Sequence, residues 1–223
     1  MLRANDIREE FRFLYEAGLF TSDRSGGKTI EIIGASFIAD EPAIFGEPNQ
    51  EYINAEIDWY KMRSTNINDI YGTDYMAKSP PAAWKMTANK HGEINSNYGR
   101  IIYSDQYYDQ YNHVLNELQD NPGSRRATMV YNRPSIWCEY NENGKSDFIC
   151  TNAVTYYIRG DVLHAVVQMR SNDVVFGYKN DYAWQRYVMQ ELINDHRDDL
   201  RMGTLHWQVQ NLHIYDRHFG LIL

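Results

Sequence analysis

Between Asp147 and Trp184 the chain reads DFICTNAVTYYIRGDVLHAVVQMRSNDVVFGYKNDYAW, and this stretch gathers side chains fit for covalent and acid–base chemistry. Cys150 can act as a nucleophile in its thiolate form. Arg170, Ser171, Asn172 and Asp173 supply a cation, a hydroxyl, an amide and a carboxylate in successive positions, and Asp181 adds a second carboxylate. Local patterning explains how they meet. Thr151 to Ile158 alternates apolar and polar residues, which predicts a β-strand. Arg159-Gly160-Asp161 reads as a tight turn and Val162 to Met169 as a second strand. Asn180-Asp181 precedes an apolar-periodic segment, Tyr182 to Ile193, predicting a helix with a capping residue in front. Asp181 can therefore be a cap, and a lone cysteine is most often buried and inert. The density of chemistry on one hairpin and its following helix argues for a site.

Other candidate residues stand on other predicted elements. Gln50 to Met62 has helical periodicity, with Glu56 next to its apolar face; a carboxyl against an apolar wall has its pKa raised, as acid–base work requires. Asp6 to Ala17 reads as a helix ending near Gly18. The turn Asp23-Arg24-Ser25-Gly26-Gly27 feeds a strand, Thr29 to Phe37; such loops cradle phosphate, although an ordinary turn explains them as well. Trp84 begins a short helical stretch, and Tyr98 follows in Asn97-Tyr98-Gly99. Tyr107 to Leu118 reads as a helix. Arg125-Arg126, a pair of the kind usually solvated, precedes a strand from Ala127 to Tyr131. A last strand leads to His213-Ile214-Tyr215, whose two-residue spacing puts His213 and Tyr215 on one face. Met62 to Pro81 reads as an irregular loop.

Composition narrows the classes. The 223 residues suffice for one domain with a sizeable core, and neither a linker nor a repeat divides the chain. A net charge of −8 argues against generic nucleic-acid binding, which needs basic surface. No apolar run approaches the ~20 residues of a membrane span, and the charged start MLRANDIREEF lacks a signal-peptide core. The two cysteines, Cys138 and Cys150, have no metal-ligand spacing, so no metal is expected. A reduced, cytoplasmic protein is the simplest reading.

The hairpin resembles the core of the thymidylate synthase superfamily, in which a nucleophilic Cys on one strand is followed by Arg-Ser-x-Asp on the next. Cys150 and Arg170-Ser171-Asn172-Asp173 match that pattern, and Glu56-Ile57-Asp58-Trp59-Tyr60 matches the family's Glu-x-x-Trp-aromatic. The similarity extends from KTIEIIGASFIADEP to NLHIYDRHF. It implies an α/β (α+β) fold, a twisted mixed sheet flanked by helices, with two sheets back to back in a homodimer. It implies a Cys150 nucleophile, with Glu56 and Tyr98 managing protons and water. Arg24, Arg170 and Ser171 would bind nucleotide, Arg125 and Arg126 would grip the partner's nucleotide phosphate, and His213 with Tyr215 would hold the sugar. Trp84 and Asp173 would meet a folate. Asp181 stands where the family reads the pyrimidine with Asn, a mark of its cytidylate branch. The implied reaction joins dCMP, 5,10-methylenetetrahydrofolate and water into 5-hydroxymethyl-dCMP and tetrahydrofolate. The cationic surroundings are expected to lower the thiol pKa. CMP or dUMP as substrate, and a non-catalytic nucleotide-binding subunit, stay open, as does membership of a larger nucleotide-synthesis assembly. The family's tail over the folate is not matched after Leu223, so closure there is expected to differ.

Overall fold

The computed structural model describes residues 1–23, 26–72 and 78–223. Strands β1 (Thr21–Ser22), β2 (Lys28–Ile38), β3 (Thr128–Val130), β4 (Thr151–Arg159), β5 (Val162–Met169), β6 (Asn172–Asp173) and β7 (Arg201–Tyr215) form one mixed sheet. Its order is β1-β2-β7-β5-β4-β3, with β6 on β7. Helices are α1 (Ala4–Glu16), α2 (Gln50–Met62), α3 (Ala82–Thr87), α4 (Tyr98–Tyr103), α5 (Gln110–Asp120), α6 (Ile136–Glu139) and α7 (Gly177–Asp195). The hairpin β4–β5 is antiparallel, as its turn demands, whereas β5 and β7 are parallel. A parallel pair needs a long crossover, and α7 provides it.

Alternation along the strands sorts the two sheet faces. Val154, Tyr156 and Ile158 of β4, Leu163, Ala165 and Val167 of β5, and Leu205, Trp207 and Val209 of β7 are buried. They form the core with Tyr178, Trp184, Val188 and Met189 of α7. The opposite set, including Ser36, Thr155, Tyr157, His164, Val166, His206 and Gln208, is half-buried or exposed. At the edge strand β3 the Gln110 side chain stands in for a missing strand: its amide donates to Val130 O at 2.9 Å and accepts from Val130 N at 2.7 Å. This satisfies backbone groups that an open edge would expose.

The sheet bends where the site is built. Burial in β7 changes phase between Val209 and Leu212, and in the adjacent strand β2 between Ile30 and Ala35, with Gly34 at φ 74° between them. A positive φ favours glycine, and glycine in a strand marks such a bend. Beyond it β7 meets the segment after β5: Asn211 N donates to Arg170 O at 3.2 Å, Val174 N to His213 O at 3.0 Å, and β6 pairs Asp173 with His213. The expected closing strand, Gly203 to Tyr215, is found as one strand, Arg201–Tyr215, that carries this bend within it.

A second joint fixes the approach to Cys150. Buried Asp147 accepts from Asn95 N at 2.6 Å, Ser96 N at 2.8 Å and Ser96 Oγ at 2.7 Å, tying the loop before α4 to the strand entry. α4 in turn lies against α2 through Gly99, where a Cβ would stand 1.9 Å from Tyr60 O. Gly99→Ala must therefore part α2 from α4 and lower stability by roughly 1–3 kcal/mol, the usual cost of overpacking. Urea unfolding midpoints measure it; an unchanged midpoint would refute this packing role.

Candidate active site

Cys150 lies immediately before β4, half-buried, with its carbonyl accepting from Arg170 N at 2.9 Å. The hairpin register thus sets Arg170 beside the thiol. The guanidinium donates to Ile149 O at 2.9 Å, Phe148 O at 2.5 Å and Cys150 Sγ at 3.5 Å, and packs 4.9 Å from the Phe148 ring centroid. The arginine therefore both shapes the backbone before the nucleophile and contacts its sulfur. The expected lowered thiol pKa is not found. Burial pushes Cys150 up to about 11; Arg170 opposes the rise, while Asp181 and Asp147 add to it. Desolvation of a thiolate outweighs one neighbouring cation.

Asp181 does not cap a helix. α7 begins at Gly177, several residues before the expected start, and Asp181 sits inside it. The start is moved by Asp173, whose carboxylate accepts from Val175 N at 3.0 Å and Phe176 N at 3.1 Å. Asp181 Oδ2 accepts from Asn172 Nδ2 at 2.8 Å, while Asn172 Oδ1 accepts from Trp207 Nε1 at 3.2 Å. Indole N–H is only a donor, so it fixes which end of the buried amide faces Asp181. Burial, and then the charge of Glu56, raise the Asp181 carboxyl well above the ordinary range; Asn172 opposes and Asp173 adds to the rise. So placed, the carboxyl holds its proton more tightly than an exposed one does. With Oδ2 accepting from Asn172, Oδ1 is the oxygen better placed to carry it.

Glu56 on α2 is 5% exposed rather than solvated. Its carboxylate accepts from Tyr52 OH at 2.6 Å and Trp84 Nε1 at 3.1 Å, and Trp84 Nε1 also lies 2.9 Å from Tyr52 OH. Burial lifts Glu56 to about 7, with both hydrogen bonds pulling the other way. It is thus poised for proton transfer near neutrality. Tyr98, the first residue of α4, is buried; its phenolic oxygen accepts from Thr151 Oγ1 at 3.0 Å, next to Cys150 in sequence. Burial, and then the charges of Asp181 and Cys150, raise its pKa well above the ordinary value.

His213 and Tyr215 stand at the end of β7 with ring centroids 5.0 Å apart. His213 Nδ1 lies 3.1 Å from Asn211 Oδ1, and burial lowers its pKa. Tyr215 is raised by burial, then by Asp173, with Asp23 and Cys150 contributing, so the sugar-binding candidates share the field of the thiol. Ser171 is half-buried beside them. Arg24 lies outside the described residues. Arg125 and Arg126 are exposed on the segment before β3, and Arg126 holds Glu117 at 3.0 and 3.2 Å; within the chain they are not joined to the cluster around Cys150. Asn172 was visible in the Arg-Ser-Asn-Asp run but had no role until Trp207 and Asp181 appeared around it. Tyr52 was also missed, although its position four residues before Glu56 on one helix face was a usable signal.

The arrangement offers a thiol beside an arginine, a buried carboxyl with a strongly raised pKa, a second carboxyl raised to about 7, and an aromatic wall. The sequence matches the thymidylate synthase family over residues 10–223, and the chain belongs to that family. It is 52% identical over 208 residues to the deoxycytidylate 5-hydroxymethyltransferase of Enterobacteria phage T4, an alignment covering 91% of this chain and 82% of the phage protein. The protein of that name from Enterobacteria phage T2 matches equally, at 52% over 208 residues. The thymidylate synthase of Fusobacterium nucleatum is 29% identical over 142 residues, 63% of this chain and 48% of that protein. The solved structure of thermostable thymidylate synthase A from Bacillus subtilis superposes with a TM-score of 0.69 at 17% identity, covering 96% of this chain and 81% of that one. The expected twisted mixed sheet flanked by helices is therefore the fold of this chain.

The thiol's environment has a direct consequence. In a Cys138→Ser background, which removes the exposed thiol, alkylation of Cys150 by iodoacetamide should rise with pH toward an inflection near 11, since only the thiolate reacts. Arg170→Ala should move the inflection higher still. An inflection at or below the ordinary cysteine value would contradict the dominance of burial.

Proposed function

We propose that this chain, acting as one domain over residues 1–223, is a deoxycytidylate 5-hydroxymethyltransferase. It converts dCMP, 5,10-methylenetetrahydrofolate and water into 5-hydroxymethyl-dCMP and tetrahydrofolate. The observation that carries the choice of base is the buried Asp181 carboxyl held by Asn172, whose burial favours the protonated form. Cytosine offers an unprotonated N3 acceptor and an N4 amino donor. A neutral carboxyl matches both, its hydroxyl donating to N3 and its other oxygen accepting from N4. Uracil, with N3–H and O4, would set donor against donor and acceptor against acceptor. The 52% identity to the phage enzyme supports the same substrate.

Cys150 attacks C6 of the pyrimidine as thiolate, forming an S–C6 bond and making C5 enamine-like. The raised thiol pKa makes activation part of the task. Arg170, in contact with the sulfur, stabilises the thiolate, and proton donation from Asp181 to N3 draws electrons from C6. Glu56, titrating near 7, serves the later proton transfers and the activation of the added water. Tyr98 orders water next to Thr151. When the bond to sulfur breaks, C5 becomes aromatic again and the thiolate is restored.

Arg24, Arg170 and Ser171 bind the nucleotide, with His213 and Tyr215 on the sugar. The co-substrate fits the half-buried indole of Trp84, whose N–H is turned toward Glu56 and Tyr52 so that its ring is left as a wall. Asp173 meets the heterocycle. Bound folate supplies the one-carbon unit at C5; the protein orients it and manages protons. The half-buried and exposed sheet face supports the back-to-back homodimer, in which Arg125 and Arg126 reach the partner's phosphate. Among the described residues no helix is long and apolar enough to cross a membrane. Use of a nucleotide and a folate supports a cytoplasmic location.

Nucleotides labelled with tritium at C5 test the proposal. With methylenetetrahydrofolate, dCMP should release tritium and form 5-hydroxymethyl-dCMP, with kcat/KM at least about tenfold above that for dUMP, and Cys150→Ser should abolish release. Preference for CMP or dUMP would overturn the substrate assignment. Binding of dCMP without tritium release would leave a nucleotide-binding subunit instead of an enzyme.

A further inference from the structure

Lys179, in the first turn of α7, is a buried cation that the reaction as described does not use. It is 7% exposed. Its ammonium donates to Glu47 O at 2.9 Å and sits 5.5 Å from the Phe176 ring centroid. No carboxylate oxygen of the described residues lies within 4.0 Å of it. An ammonium has three N–H donors, and a charge taken out of water without a counter-ion is costly. Burial accordingly pulls its pKa down, with Asp173 and Glu47 opposing from a distance. The 46–47 loop leaves the ammonium just the space it occupies. A Cβ on Gly46 would come within 3.3 Å of Nζ, and Gly46 has φ 69°, where a side chain would also be strained.

Two residues on the same stretch of chain stand near the cation. Asp173 lies at the end of β6, Phe176 follows as an exposed residue, and the Lys179 ammonium stands over its ring one turn later. Carboxylate, exposed aromatic face and cation therefore follow one another along the entry to α7. Lys179 projects about 200° around the helix from Asp181, at ~100° per residue, so it points away from the base-reading carboxyl.

Resting on the hydroxymethyltransferase reading, we propose that Lys179 binds the glutamate carboxylate of the folate co-substrate, with Phe176 against its benzoyl ring and Asp173 at its heterocycle. The chemistry matches part by part: a hydrogen-bonding heterocycle, an apolar ring, then an anion. Lys179 is a binding residue for the co-substrate and has no part in the chemistry at C5.

Calorimetric titration in the presence of dCMP provides the test, with tetrahydrofolate and tetrahydropteroate, which lacks the glutamate, as ligands. The unmodified protein should bind tetrahydrofolate about tenfold or more tighter, the scale of a hydrogen bond to a charged group. Lys179→Met should bind the two equally, with dCMP affinity unchanged. Equal binding by the unmodified protein, a result that needs no variant, would overturn the proposal. Retention of the difference in Lys179→Met, or a loss of dCMP affinity instead, would overturn it as well. A protein that binds neither folate and does not turn over dCMP would remove the hydroxymethyltransferase reading itself, and this proposal with it.

Discussion

The site is organised around the buried Asp181 carboxyl, which holds its proton more tightly than an exposed one would. Burial disfavours its loss, Glu56 and Asp173 add negative field, and Asn172 offers a single compensating hydrogen bond. That amide cannot rotate to offer its oxygen without leaving the Trp207 indole unpaired in the core. Trp207 belongs to the central strand β7. The protonation state of a recognition group is thereby tied to the packing of the sheet, and the two carboxyls Asp181 and Glu56, both raised, gain separate tasks. In the proposed reaction the first reads the base in its neutral form, while the second, raised to about 7, moves protons.

The bend in β2 and β7 makes this geometry accessible. A straight continuation of β7 would keep one alternation throughout, with the even-numbered side of its end facing away from the core. The phase change instead buries Leu212 and Ile214 and hands Asn211, His213 and Tyr215 to the segment after β5. The hairpin β4–β5 brings Arg170 to Cys150, and β6 brings Asp173 to His213. Residues far apart in sequence meet because three strand ends converge there. The same convergence buries the thiol, which is why a neighbouring arginine does not make it acidic. In the proposed reaction, nucleophilic power must then come from activation of the pyrimidine as well as from the sulfur.

Local elements were legible because they rest on local rules. The β4–β5 hairpin, with β5 at its expected bounds, and α2 from Gln50 to Met62 follow from alternation, a turn and helical periodicity. The start of α7 was misplaced because Asp173, in the preceding strand, satisfies the backbone N–H groups of Val175 and Phe176, and no pattern in the helix itself announces that. From sequence alone Glu56 read more readily as an ordinary solvated glutamate; its burial comes with tertiary packing that brings Trp84 onto it beside Tyr52. The roles of Asn172 and Lys179 were illegible for a related reason, since each depends on a residue remote in sequence, Trp207 in one case and the 46–47 loop in the other. The direction of the Cys150 shift needed the balance of burial against charge, which residue spacing does not contain.

The central claim is that the neutral Asp181 carboxyl selects cytosine. The most direct measurement is the ratio of kcat/KM for dCMP to that for dUMP, taken side by side in the unmodified protein and in Asp181→Asn. An amide at this position can accept from N3–H and donate to O4 of uracil. The ratio should therefore shift toward dUMP by about ten- to a hundredfold, the value of roughly 1–3 kcal/mol for a discriminating buried hydrogen bond. An unchanged ratio would contradict the account and leave Asp181 a structural residue of α7.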